Sequence, residues 1–363
     1  MSIARSIFRF TAPLLITWLA VTPALCHPAW GIAVDNQGQV YFSSLKAVLK
    51  VDPQGHVSIL RPAADRHTHE INLDDAGNLY GADNSYDPAT DRLSSAIWKL
   101  TPSGDFSYVL APTENTPTGT SIWKDRNDNT YHVANFPEGE LLVLRRSPQG
   151  EVRLFVGKSS ALLQYRQQVP YSIGGLTFGP EGSLFFTHGR NVSKLTLAGV
   201  LVPLVRDLAV EKPGTKEKDT SSATRLFGIA ADKDNVFVAD HVNRRVFKLN
   251  NNQVTTVIQN EDQWFPTGVA LKGTDLYVLE YSPGVRNRSD ATRVRMLSPD
   301  GRMVTLATVD EAGRPIGSET PNANVASRQN PARSYIYAGV ASGVIGVLLV
   351  MWIVRRRRAA HID

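Results

Sequence analysis

His67, His69 and Glu70 put two imidazoles and a carboxylate within four consecutive positions. Asp83, His188, Asp240 and Glu280 fall at matching points of a pattern that repeats along the chain. Groups of these types can bind a ligand, move a proton or hold a cation. Imidazole and carboxylate ligands suit zinc or iron, so His69, His188 and Asp240 would bind a divalent metal if the fold brought them together. The alternative is that Asp and Asn here bond nearby backbone amides and shape turns. Asp240 beside Asn243 reads that way. Asp83, Asp87 and Asp91 sit close enough in sequence for a calcium loop. They lack the glycine and terminal Glu of an EF-hand loop, so a solvated turn is the simpler reading. No nucleophile motif is present: there is no G-x-S-x-G and no H-E-x-x-H, and Cys26 is the only cysteine. No catalytic residue can be assigned from these patterns.

The elements that would position these residues come from a repeat. Leu226 to Ile258 reads as four short strands, at Phe227 to Ala231, Val236 to Ala239, Arg245 to Leu249 and Val254 to Ile258. Alternating Val, Ile, Phe and Thr between Asn- and Asp-rich turns mark antiparallel strands. Five more units keep this order: Trp30 to Leu60, His69 to Leu110, Thr120 to Val156, Gly174 to Val205 and Thr267 to Val309. One four-stranded sheet cannot bury both faces alone. Copies at a spacing of about 40 to 50 residues therefore predict radially packed sheets. The expected fold is all-β, a six-bladed β-propeller over residues 27–310. The second unit carries an insertion, Asn84 to Ser95, which is polar and reads as a surface loop.

Aligned on their first strands, the units open on Trp30, His69, Thr120, Gly174, Phe227 and Thr267. Their second strands end near Ser44, Asp83, Ala134, His188, Asp240 and Glu280. Both sets belong at the mouth of a central channel. Where Glu70 stands, the other units place Gly or Ser. A carboxylate beside an innermost strand is costly unless it is solvated, paired or bound, which makes this corner the leading ligand candidate.

The units, and VNRRVFKL in the fifth above all, resemble NHL repeats of a six-bladed propeller. The resemblance spans roughly residues 28 to 310. It implies architecture more than activity, because propellers of this kind host binding, scaffolding and several chemistries. Gluconolactonase-like propellers hold a divalent metal with a Glu, an Asn and an Asp at the opening positions, and none of those types occurs there in this chain. Propeller lyases that cut hydroxyglycine peptides use three histidines, of which only His69 has a match. The resulting expectation is a binding or interaction module. The alternative is an exported metal-dependent hydrolase or lyase with its site in the channel.

The ends of the chain point to the membrane. Residues 1–26 read as a signal peptide, with Arg5 and Arg9 before an apolar stretch and Ala24-Leu25-Cys26 as the cleavage region. Residues 311–334 read as a flexible stalk. Residues 335–354 are twenty residues without a charge, long enough for one transmembrane helix. The basic tail, 355–363, follows with Arg355 to Arg358, so the tail should stay cytoplasmic and the propeller lie outside, periplasmic or extracellular. Gly339 and Gly343 form one GxxxG and would permit a homodimer. Seven of the 39 basic residues and one of the 34 acidic ones lie in residues 1–26 and 333–363, leaving 32 against 33. The net charge of +5 therefore comes from the ends, and the repeats carry no footprint for nucleic acid. The expected partners are the membrane and a protein or small molecule on the channel face.

Overall fold

The computed structural model describes, apart from short gaps, residues 29–62, 67–115, 130–157, 173–208, 226–284 and 290–316. The expected leader, the span, the basic tail and the Gly339/Gly343 pair lie outside these residues. Among the described residues no helix is long and apolar enough to cross a membrane.

The described chain is a β-propeller of antiparallel sheets, each built from consecutive strands. The first sheet holds β1 (Ile32–Val34), β2 (Val40–Ser43), β3 (Ala47–Val51) and β4 (Val57–Pro62). The second holds β5 (His67–Leu73), β6 (Leu79–Asp87), β7 (Arg92–Leu100) and β8 (Phe106–Asn115). The third has three strands among the described residues: β9 (Thr130–Asn135), β10 (Leu141–Arg146) and β11 (Val152–Val156). The fourth holds β12 (Gly175–Phe178), β13 (Leu184–His188), β14 (Asn191–Leu195) and β15 (Leu201–Val205). The fifth holds β16 (Leu226–Ala231), β17 (Val236–Asp240), β18 (Arg245–Asn250) and β19 (Gln253–Gln259). The last holds β20 (Phe265–Lys272), β21 (Asp275–Ser282), β22 (Ala291–Leu297) and β23 (Met303–Asp310). The sequence predicts six four-stranded blades. Five complete ones are described, because residues 120–129, which would begin the third blade, fall outside the described set.

Apolar side chains alternate off both faces of each sheet and meet those of the next. Phe185, Leu226, Val238 and Phe247 join the fourth and fifth sheets, and Phe227, Ala239, Val269 and Val278 join the fifth to the last. Phe42, Leu49, Leu279 and Val309 fuse the last sheet to the first. Among the described residues the last sheet therefore meets the first by packing. Hairpins within the blades are set by aspartates: Asp35 Oδ1 accepts the amides of Gln37 (2.9 Å) and Gln39 (2.8 Å). Gly38, at φ 83°, supplies the left-handed residue that this turn requires.

The insertion at Asn84 to Ser95 is not a loop, which corrects the sequence reading. It lengthens the β6–β7 hairpin, with Asn84 opposite Ser95 and Asp87 opposite Arg92. Strand pairing satisfies backbone groups whatever the side chains are, so a polar sequence does not exclude a strand. Beyond β23, residues the sequence places in the stalk form a further turn. Ile316 N bonds Thr308 O at 2.9 Å, and Ser44 Oγ donates to Glu311 O at 3.1 Å. The compact unit that holds the blades ends at Gly317.

Candidate functional site

The innermost strands β1, β5, β12, β16 and β20 surround a central cavity of about 770 Å³. They approach each other backbone to backbone, and glycine permits it. A Cβ on Gly268 would lie 2.4 Å from Trp30 O, one on Gly228 2.7 Å from Gly268 Cα, and one on Gly175 2.4 Å from Phe227 O. The fifth member of this register is Glu70, and it lines the same cavity. Among the described residues, Glu70 stands at the register position that Gly31, Gly175, Gly228 and Gly268 hold in the other inner strands.

Glu70 makes no hydrogen bond or ion pair among the described residues. It retains some accessible surface along the cavity, yet protein surrounds its carboxyl, and that burial pushes the pKa from 4.5 up to about 8. That shift favours the protonated form at pH 7.

At the strand-opening end aromatic rings form a collar, of which Trp30 lines the cavity. Trp30 stacks on Phe227 with centroids 5.5 Å apart and lies 5.4 Å from His69. Phe227 meets His241 edge-on at 5.2 Å, and His241 lies 4.9 Å from Phe265. His67 stands 6.1 Å from His69. Burial, and then the nearby Lys46 charge, lower the pKa of His67, while Glu311 opposes them. Lys46 itself pairs with Glu311. The collar was half legible in sequence: Trp30, His69 and Phe227 were aligned as opening positions, but only His69 was weighed as a ligand. In the sequence His241 is visible only as the neighbour of Asp240, and the repeat does not single out Phe265. The signal available was two aromatic residues among six opening positions.

The other candidate acids do not face an empty site. Asp83 is buried on β6 and accepts Thr68 Oγ1 (2.7 Å), Trp98 Nε1 (2.8 Å) and Arg61 Nη1 (2.8 Å) on one oxygen. Its other oxygen meets Arg61 Nη2 at 2.6 Å. Arg61 comes from β4 of the preceding blade and lies over the Trp98 and Phe106 rings. Asp240 accepts Arg245 Nε (3.0 Å), Asn243 Nδ2 (2.7 Å) and the Asn243 amide (3.3 Å), so the turn-forming pair read from the sequence is present and carries an arginine as well. Glu280 accepts Asn260 Nδ2 at 2.6 Å and is held by Arg293 and Arg295. These three acids occupy one register position in their blades, and each neutralises an arginine inside the fold.

His188 lies apart from the channel. It lines a separate cavity of about 370 Å³ with Asn191, Ser193 and Arg206 on the fourth blade. Its Nε2 is 3.0 Å from Ser193 Oγ, and burial lowers its pKa. His69, His188 and Asp240 are thus not brought together. Among the described residues no three of His, Cys, Asp and Glu are arranged to hold a metal ion. Of the three acids weighed for a calcium loop, Asp83 is paired with Arg61, and Asp91 lies outside the described residues.

No protein-family model matches the sequence, and no curated protein matches it. Solved structures do resemble the fold. A chain of a mitotic checkpoint complex aligns with 85% of this chain and 90% of its own, at 11% identity and TM-score 0.40. A gluconolactonase from Xanthomonas campestris aligns with 62% of this chain and 71% of its own, at 17% identity and TM-score 0.38. The extracellular domain of a hybrid two-component system from B. thetaiotaomicron aligns with 76% of this chain and 55% of its own, at 10% identity and TM-score 0.39. At such identities the likeness is one of fold, and function has to be argued from the channel itself.

Proposed function

We propose that this chain is an exported propeller, tethered by a span at residues 335–354, that binds a ligand or partner at the collared end of its channel and performs no chemistry. In this reading the three-stranded sheet is the sixth blade, the repeats are NHL-like, and the basic tail stays cytoplasmic. Pairing through Gly339 and Gly343 would make the tethered form a dimer. The observation that carries the reading is a central cavity of small-molecule size lined by Trp30 and by Glu70, an acid with no ion pair among the described residues. The buried acids, which would be the raw material of a hydrolase or lyase, are tied to arginines. That alternative needs a bound divalent metal, and metal analysis of the purified chain tests it.

A thermal-shift screen of the full chain against small neutral, cationic and anionic compounds tests the binding reading. A ligand present at a hundred times its Kd adds about 2.7 kcal/mol of stability, enough to move the melting point visibly. Stabilising compounds should lose their effect in Trp30→Ala. If every shift survives that substitution, the collar is not the binding site.

A further inference from the structure

The outer hairpin of the fourth blade departs from its counterparts at the tip. Between β3 and β4 the turn reads DPQGH at 52–56, between β7 and β8 TPSGD at 101–105, and between β22 and β23 SPDGR at 298–302. Between β14 and β15 it reads TLAGV at 196–200. The backbone of the turn is unchanged: Gly199 N bonds Thr196 O at 2.9 Å, and Gly199 keeps a φ of 76°. Turn formation therefore rests on Thr196 and Gly199 and does not call for apolar residues between and after them. Leu197 is 45% exposed and Val200 56%, with Leu201 at 41% and Val202 at 36% beside them on β15. Four of the ten large hydrophobic residues exposed among the described residues thus fall within 197–202. Residues 195–205 carry no charge. Apolar patches of this kind mark a surface that meets another apolar phase.

We propose that this hairpin dips into the surface of a lipid bilayer, as a second and reversible contact beside the span at 335–354. This rests on the tethered reading above and adds the part of the propeller that meets the membrane. Three amides of the turn are already bonded, Thr196 N to Val200 O at 3.0 Å, Gly199 N to Thr196 O, and Val200 N to Thr196 Oγ1 at 3.1 Å. The tip therefore gives up little backbone hydration on entering the boundary between headgroups and acyl chains. An added strand from a second copy is a poorer occupant, because Pro203 on the edge strand β15 has no N–H to pair. A charged partner would find no counter-charge in the run. The connection to the span is long enough. The chain leaves the last blade at the strand-opening end, and the hairpin stands at the other. Seventeen residues, 318–334, separate the compact unit from the uncharged run. They can span at most about 60 Å. β20, the longest described inner strand, has 8 residues and rises about 27 Å. The bilayer can therefore lie at the hairpin end while the span stays in place.

Fluorescence quenching of the full chain in phosphatidylcholine vesicles tests this, with nitroxide-labelled lipid as the quencher. An environment-sensitive fluorophore is attached at Ala198→Cys, or at Gln54→Cys in the corresponding hairpin of the first blade, with Cys26→Ser in both. The fluorophore at residue 198 should be quenched and blue-shifted, and the one at residue 54 should be neither. Adding Leu197→Ser and Val200→Ser should lower the ratio of docked to free hairpin about tenfold or more, because two apolar side chains no longer enter the lipid. The comparison of residues 198 and 54 stands without that variant. Quenching at residue 198 no stronger than at residue 54, in chain that floats with the vesicles, overturns the hairpin contact and leaves the tether standing. A blue shift at residue 198 without quenching puts a second copy or another protein surface on the hairpin and overturns the lipid assignment. Chain that does not float with the vesicles removes the tether, and the hairpin contact falls with it.

Discussion

Glu70 keeps its proton because the fold gives its carboxyl neither a donor nor full water. Its pKa rises from 4.5 in the unfolded chain to about 8 in the folded one. Between those values the folded state binds more protons, so stability is complete below about 4.5 and is lost as pH rises through about 8. The loss should be roughly 1 kcal/mol per pH unit, less than the full linkage value because the channel admits water. His67 and His188 act in the opposite sense, since burial lowers their pKa values and the folded state resists protonation below 6.5. Subtracting the melting curve of Glu70→Gln from that of the wild type at each pH isolates the glutamate. A difference that does not vary with pH would mean that Glu70 is already ionised. Glu280 gives the contrasting case. Replacing it with Ala strands Arg293 and Arg295 in a buried site, which should cost about 3 to 5 kcal/mol in urea denaturation. A loss under 1 kcal/mol would show that water reaches the two guanidinium groups.

Among elements, the inner strands are the most tightly constrained. Gly268→Ala would drive a methyl to within 2.4 Å of Trp30 O, a contact that cannot relax without moving β1. Overpacking of this kind costs about 1 to 3 kcal/mol, and equilibrium denaturation should show it. An unchanged midpoint would mean that the blades can spread. The same strands show how far the sequence could be read. The strands of the fifth blade match their predicted limits to within a residue at most ends, because alternation and Asp-turn chemistry agree there. The β6–β7 extension was misread, because polar residues in a paired hairpin look like a loop to any pattern of hydrophobicity. Asp240 facing Arg245 across β17 and β18 is a local pairing and could have been read. Asp83 could not, because Arg61 arrives from the preceding blade through a contact that no local spacing encodes. Glu70 stood out for a physical reason: it breaks a run of small residues that the close approach of the strands demands.

At the scale of the molecule, the last sheet meets the first by packing and its last turn folds back on the first blade. A Cβ on Gly313 would touch Leu49 at 2.7 Å, and Ser44 reaches Glu311. The compact unit that holds the blades runs to Gly317. In the proposed reading the apolar residues that follow face a bilayer. An uncharged run of twenty, flanked at once by Arg355 to Arg358, is suited to a bilayer with the arginines held on the cytoplasmic side. Translocating four guanidinium groups past the hydrocarbon core is far less favourable than translocating a propeller through an export channel ahead of them. A reporter enzyme fused after Asp363 should thus be active only in the cytoplasm, and protease added outside intact cells should release one propeller fragment by cutting in the stretch after Ile316. A propeller that stays protected until the membrane is opened would reverse this orientation, and a propeller found in the soluble fraction without protease would remove the tether.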